Sequence, residues 1–214
     1  MDVSSQSRIV RWGAAAAIAG GVYALLIATI YAATRLGARG DRLFGSLDVL
    51  LFPAPALFTF SLVIIRIRHG KDVARIGRQA LAVAIFGMAM VAIGQFGSVW
   101  PAFARSGNYL IGPAVHFIGP GMILCVESGL LVFAVAAARG HTIPRRIWVL
   151  PFLMATLPII VIAASQVVAL LQRTRLLAIE DIYIQALYVA LAVLWIVLGV
   201  LLWFEGKLVA QRGG

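Results

Sequence analysis

The sequence predicts an all-α membrane protein: a single polytopic bundle of six transmembrane helices over residues 1–214, with the N-terminus and C-terminus cytoplasmic. Three observations predict this fold class: an apolar composition, six long apolar runs, and basic residues placed between those runs. Of the 214 residues, 62% are hydrophobic and 12% are charged, and the mean hydropathy is +0.99. A soluble domain has about 45–50% apolar and about 25% charged residues. We therefore expect lipid to surround most of the molecule.

Each of the six apolar runs is close to the about 20 residues that cross a bilayer as a helix. The runs are continuously apolar, whereas a barrel strand would alternate over about ten residues, so helices are expected. The first run follows two arginines, as a signal-peptide core would, but it is longer than the about 7–15 residues of such a core. It is interpreted as a retained span, and cleavage after it is the alternative. The predicted spans are residues 13–33, 47–65, 80–99, 109–138, 147–171 and 183–204.

Two further patterns concern the shape and packing of these helices. The fourth run is the longest, and its first half is crowded with glycine and proline at residues 112–113 and 119–121. This crowding predicts a kink or a non-helical start in that span. Small residues four apart, such as Ala17 with Gly21 and Ala80 with Ala84, allow two helix backbones to approach closely.

The basic residues predict the orientation. There are 18 Lys and Arg residues against 8 Asp and Glu residues, a net charge of +10. Cytoplasmic loops carry an excess of Lys and Arg, so the richer side should face the cytoplasm of a bacterial cell, with the protein in the inner membrane. Headgroup contacts account for the charge, and no nucleic-acid partner is expected. The richer side carries Arg8, Arg11, Arg66, Arg68, Lys71, Arg75, Arg78, Arg139, Arg145, Arg146, Lys207 and Arg212, and the other carries Arg35, Arg39, Arg42, Arg105, Arg173 and Arg175.

The most basic loop is Arg66–Arg78, with the sequence RIRHGKDVARIGR. Its first role is that of a topology anchor. It is also suited to docking an anionic lipid or a cytoplasmic partner.

Ionisable residues inside the spans are costly in hydrocarbon and are therefore candidates for function. They are Asp48, His116 and Glu127. His116 and Glu127 share a face of the fourth span, but their backbones lie about 16 Å apart, too far to share a ligand. Glu127 is interpreted either as a proton carrier or cation contact, or as a hydrogen-bonded residue that holds the helices together.

Several polar residues fall at the same depth, in the outer halves of spans that run in alternating directions. We expect them to line an outward-facing polar cavity that binds a small ligand. The alternative is that they are tolerated singly at interfacial depth. The residues are Asp48, Gln95, His116, Gln166, Gln185 and Tyr188.

The sequence offers little for catalysis. Cys125 is the one cysteine, so a Cys-pair metal motif is excluded. A bis-histidine haem needs two histidines at membrane depth, yet His69 and His141 fall in predicted cytoplasmic loops. The HExxH, phosphate-loop and GxSxG motifs do not occur. We predict no catalytic residue, no metal and no cofactor, and we expect a protein that is not an enzyme.

Four stretches resemble a broad group of small, uncharacterised six-helix membrane proteins of bacteria. This resemblance implies a six-helix bundle and supplies no activity. The chain is also similar in size and topology to the substrate-binding components of energy-coupling vitamin transporters, whose first helix carries an Ala-x-x-x-Ala patch that Ala15 and Ala19 match. The four stretches are RWGAAAAIAGGVY at 11–23, ARIGRQALAVAIFGMAMVAIG at 74–94, TIPRRIWVLPFL at 142–153 and WIVLGVLLW at 195–203.

Three functions follow as hypotheses. The first is a non-catalytic membrane protein, either a subunit of a larger complex or a small-ligand binder, with other membrane subunits or a second copy as partners. The second is the substrate-binding component of a small-molecule transporter. The third is an intramembrane enzyme, either proton-handling or redox, that uses His116 and Glu127.

Overall fold

The computed structural model describes residues 3–36, 53–99, 121–141, 143–172 and 176–212. These residues form helices joined by turns, and no strand occurs among them. The all-α prediction is therefore confirmed for the part of the chain that the structure describes. The first six residues of the second predicted span (47–52) and the first twelve of the fourth (109–120) lie outside it.

Six helical segments follow one another in the described residues, one in each predicted span. Most extend past the apolar run at the basic side, because Arg and Lys are good helix formers. The fourth begins as a π-helix and continues as an α-helix. The segments are α1 (Val3–Leu36), α2 (Pro53–His69), α3 (Arg75–Val99), α4 (π-helical Gly121–Glu127, then α-helical Ser128–Gly140), α5 (Arg145–Gln172) and α6 (Leu176–Arg212).

Three of the described helices are long and apolar enough to cross a membrane. The apolar segments are Ser7–Ile30 in α1, Arg75–Gln95 in α3 and Gln185–Leu208 in α6. The predicted crossings at 47–65, 109–138 and 147–171 stay predictions.

The helices form a ring in chain order. Each of α2 to α5 packs against the helices before and after it, and α1 packs against α6 to close the ring. The interior is filled by aliphatic side chains and by two stacked aromatic rings: Phe58 of α2 lies on Trp195 of α6, with ring centroids 4.2 Å apart. Fully buried members of this core include Leu62, Ile65, Leu81, Leu130, Phe133, Ile147, Leu198 and Leu202.

Glycine contacts show that α1 and α6 run antiparallel at very close range. A Cβ atom at Gly21 would lie 2.8 Å from the carbonyl oxygen of Ala192, and one at Gly199 would lie 2.8 Å from that of Ala14. Since later residues of α1 meet earlier residues of α6, the start of α1 and the end of α6 lie at the same end of the ring. Close approach of this kind strengthens van der Waals contact between membrane helices.

The same reasoning orients the other helices. Gly13 of α1 faces Ile64 of α2, and Gly129 of α4 lies against Ala80 and Ala84 of α3, again in antiparallel order. The contact at Ala80 and Ala84 is one that the small-residue spacing predicted. A short turn then joins α4 to α5.

All of the loops described by the structure therefore lie at one end of the ring. We call it the basic end, because it carries the twelve basic residues that the sequence assigned to the richer side, from Arg8 to Arg212. The other end of the ring is called the opposite end. The cytoplasmic placement of the basic end stays a prediction.

Candidate functional sites

The six residues predicted to line a polar cavity are only partly described. Asp48 and His116 lie outside the described residues, and Gln166 lies on α5 with its side chain outside the description. On α3, Gln95 is half-buried, and on α6 Gln185 is half-buried while Tyr188 is 51% exposed.

The shared depth of the described members stays a prediction. At about 1.5 Å per residue, Gln95 lies about 30 Å along its helix from Arg75, and Gln185 lies about 30 Å along its helix from Glu205. Their helices, α3 and α6, are separated in the ring by α1 and α2 on one side and by α4 and α5 on the other. Side chains from these two helices could therefore meet only in the interior of the ring, and a shared cavity there stays a prediction.

The side chain of Gln95 shows an unusual feature at this depth. Its amide oxygen Oε1 is buried, and no hydrogen bond reaches it from any residue that the structure describes. A buried acceptor without a partner costs about 1–3 kcal/mol. The position therefore favours a group that donates a hydrogen bond.

Glu127 is the buried ionisable residue of α4. It is 7% exposed and is the last residue of the π-helix, where the hydrogen-bond pattern of the backbone changes to that of an α-helix. π-Helical turns occur frequently at functional sites. The predicted kink or non-helical start of the fourth span lies at residues 112–113 and 119–121, almost entirely outside the described residues, and it stays a prediction.

The surroundings of Glu127 are closely packed. Two residues later, a Cβ atom at Gly129 would lie 2.6 Å from the carbonyl oxygen of Ala80, so the α3 and α4 backbones touch here. The Ser128 hydroxyl donates to the carbonyl oxygen of Leu124 within the same helix. No hydrogen bond joins the Glu127 carboxyl group to another residue in the described ranges. Glu127 lies about 18 Å along the helix from Arg139.

At the basic end, Glu205 of α6 contacts the end of α2. Its Oε2 atom lies 3.2 Å from Nε2 of His69, and its Oε1 atom lies 3.6 Å from Nη2 of Arg68, both at the end of α2. The positive charge of Arg146, at the start of α5, also acts on this carboxylate. An ionised carboxylate only accepts hydrogen bonds, so Nε2 of His69 carries the proton in this contact.

His69 itself differs from the sequence prediction. It was expected in a cytoplasmic loop, but it is the last residue of α2 and is only 3% exposed. Its other ring nitrogen, Nδ1, lies 3.9 Å from Oδ2 of Asp72 in the following turn. Neither His69 nor Glu205 was among the predicted site residues. The signal in the sequence was Glu205, an acidic residue close to the basic residues Lys207 and Arg212.

Two grooves lie at the basic end. One, of about 330 Å³, is formed by the start of α1, the end of α2 and the turn that follows; we call it the α1–α2 groove. The other lies at the turn between α4 and α5. The α1–α2 groove is lined by Ile9, Val10, Ile64, Ile67, Arg68, Lys71 and Asp72, and the second by Ala138, His141, Ile143, Pro144, Arg145 and Trp148.

The described residues contain no group of three His, Cys, Asp or Glu side chains that could hold a metal ion. The described part of the chain is a bundle of helices, three of which are long and apolar enough to cross a membrane. This class of structure is compatible with a membrane protein. Comparisons of the chain with protein-family models, with curated proteins and with solved structures found no match. Both resemblances drawn from the sequence therefore stay predictions.

Proposed function

We propose that this protein is a multi-pass protein of the bacterial inner membrane that binds a small polar ligand between its helices at the opposite end of the ring. It acts as a binder and not as an enzyme. All six helices cross the membrane, and the basic end faces the cytoplasm.

The membrane setting is supported by the outward faces of the helices. Phe86 and Ile93 of α3 and Ile160 of α5 are each more than 60% exposed, and similar apolar side chains line α1 and α6. In water, such extended apolar surfaces would drive association. In lipid they are the expected outer surface of a helical bundle.

The single observation that carries the ligand proposal is the buried, unpartnered amide oxygen of Gln95. A ligand that donates a hydrogen bond, such as an amine, an amide or a hydroxyl compound, would remove the cost of this orphan acceptor. Gln185, on α6, is a second half-buried amide toward the same end of the ring.

Two roles use this site equally well. In one, the protein is a binding subunit within a larger complex or a homo-oligomer. In the other, it is the substrate-binding component of a small-molecule transporter and passes its ligand to partner subunits. Purification from native membrane separates the two, because a transporter component would come with an energy-coupling partner and would lose its ligand when that partner is supplied with nucleotide.

The test of ligand binding is native mass spectrometry of the protein released from mild detergent. We expect the wild type to carry a bound small molecule and Gln95→Leu to lose it. The matched control is Gln79→Leu, an exposed glutamine on the same helix at the basic end, and it should retain the molecule. Equal occupancy in all three proteins, or none in any, would rule out the site.

Glu127 favours a second candidate function, which is proton handling within the membrane. The supporting observation is its burial at the junction of the π-helix and the α-helix, without a hydrogen-bond partner in the described ranges. Ionisable residues buried among membrane helices commonly mark proton relays.

The test compares Glu127→Gln with wild type in proteoliposomes loaded with a pH-sensitive dye. Glutamine keeps the shape of the side chain but cannot release a proton. Proton handling predicts that Glu127→Gln abolishes dye-detected proton movement while unfolding at the same temperature. If neither protein moves protons, Glu127 has only a packing role.

A further inference from the structure

The α1–α2 groove is lined by two kinds of side chain. The aliphatic side chains of Ile9, Val10, Ile64 and Ile67 belong to α1 and α2, and the charged side chains of Arg68, Lys71 and Asp72 lie at the end of α2 and in the turn that follows. Ile67 is 53% exposed, and Lys71 is exposed. An apolar lining that ends in cations matches the order of groups in a phospholipid, which is acyl chain first and then phosphate.

The groove also lies at the right level for a lipid headgroup. The apolar segment of α1 begins at Ser7, two residues before Ile9, and α2 ends at His69, one residue after Arg68. The groove therefore spans the boundary between the apolar segments and the loops. Lys and Arg at this level commonly place their aliphatic stems in the hydrocarbon and their charges among the headgroups.

The guanidinium group of Arg68 is only partly used. Its Nη2 atom faces Glu205, but its Nε atom is buried and has no hydrogen bond in the described residues. A guanidinium carries five N–H donors and commonly binds phosphate oxygens through two of them. The Arg68 side chain is 31% exposed, so its guanidinium group can still approach an anion in the groove.

Two acidic residues lie nearby, and both have partners. Glu205 is shared by Arg68 and His69, and it also feels the charge of Arg146. Asp72 faces Nδ1 of His69. The wider basic end carries many more cations than these two anions, so the electrostatic potential at the groove favours an anion.

We propose that the α1–α2 groove binds an anionic phospholipid. The phosphate lies between Arg68 and Lys71, and an acyl chain follows the four aliphatic side chains into the bilayer. A choline headgroup is disfavoured because its ammonium group would approach Lys71, whereas a glycerol headgroup brings no opposing charge.

The experiment measures lipid binding to the full-length protein by native mass spectrometry, with phosphatidylglycerol and phosphatidylcholine of the same acyl chains. We expect phosphatidylglycerol to bind more tightly. The variant Lys71→Gln should weaken phosphatidylglycerol binding about fivefold, since a basic residue near an anionic lipid contributes about 1 kcal/mol. Phosphatidylcholine binding should change little.

The matched control is Arg78→Gln, which removes the same charge from the same basic loop but outside the groove. It should leave phosphatidylglycerol binding nearly unchanged. Equal weakening by Lys71→Gln and Arg78→Gln would overturn the proposal, because it would show diffuse attraction to the loop.

Two other outcomes would also overturn it. One is equal affinity of the wild type for the two lipids. The other is displacement of phosphatidylglycerol by inorganic phosphate at equal concentration, which would make the groove a site for a free anion. The double variant with Arg68→Gln and Lys71→Gln should lose the preference for phosphatidylglycerol, and Lys71→Gln alone keeps the test valid if that double variant misfolds.

Discussion

The two ends of the ring treat buried polar groups in different ways. At the basic end, His69 and Arg68 share the carboxylate of Glu205, and an apolar core lies directly beneath them. Toward the opposite end, the amide oxygen of Gln95 is buried with no partner in the described residues. The basic end therefore pairs its carboxylate with cations and leaves N–H donors of Arg11 and Arg68 without a partner in the described residues, whereas the opposite end leaves an acceptor. This difference is the basis of the proposed ligand site.

Removal of the shared carboxylate should give the largest effect. Glu205→Gln leaves Arg68 and the buried His69 without their anion, and breaking such a partly buried network is expected to destabilise the protein by about 3 kcal/mol. Chemical unfolding in mixed micelles measures the change. The control is Asp72→Asn, whose side chain is 47% exposed and whose loss should cost about 0.5 kcal/mol. Similar values for the two variants would show that Glu205 does not join the helices at the basic end.

A middle-sized effect is expected where α3 and α4 touch. Gly129→Val would place side-chain atoms against the backbone of Ala80 and Ala84, and overpacking of this kind costs about 1–3 kcal/mol. The neighbouring exposed position provides the control, since Ser128→Ala should change the unfolding free energy by less than about 0.5 kcal/mol. If Gly129→Val unfolds like the wild type, the two helices do not approach each other closely.

The smallest effect is expected at the opposite end. Gln95→Leu removes an unpaired acceptor, so in the absence of ligand the variant should be as stable as the wild type or more stable by about 1 kcal/mol. This outcome would contrast directly with Glu205→Gln. A clear loss of stability in ligand-free Gln95→Leu would mean that the amide has a partner within the protein and would remove the support for a ligand site.

Much of the architecture could be predicted from the sequence because it depends on local patterns. Continuous apolar runs predicted the helices of the described residues. The grouping of basic residues at one end followed from alternating helix directions. Each of these features needs only neighbouring residues and the length of a span.

The ion network could not be predicted in the same way. His69 and Glu205 are 136 residues apart, and their contact depends on how α1 places α2 beside α6. The number of charges in the basic loop can be read from the sequence, but which of them are buried or paired cannot. The burial of the Gln95 amide oxygen, and its lack of a partner in the described residues, also depend on how the helices pack and could not be predicted from the sequence.

Labelling of single cysteines tests whether the helices cross the membrane with the basic end of the ring in the cytoplasm. Starting from Cys125→Ser, one variant carries Lys71→Cys at the basic end and another carries Arg39→Cys, between the first two predicted spans. A membrane-impermeant maleimide applied to intact spheroplasts should label Arg39→Cys and not Lys71→Cys, and both should react once the membrane is opened. Labelling of Lys71→Cys in intact spheroplasts would contradict the account.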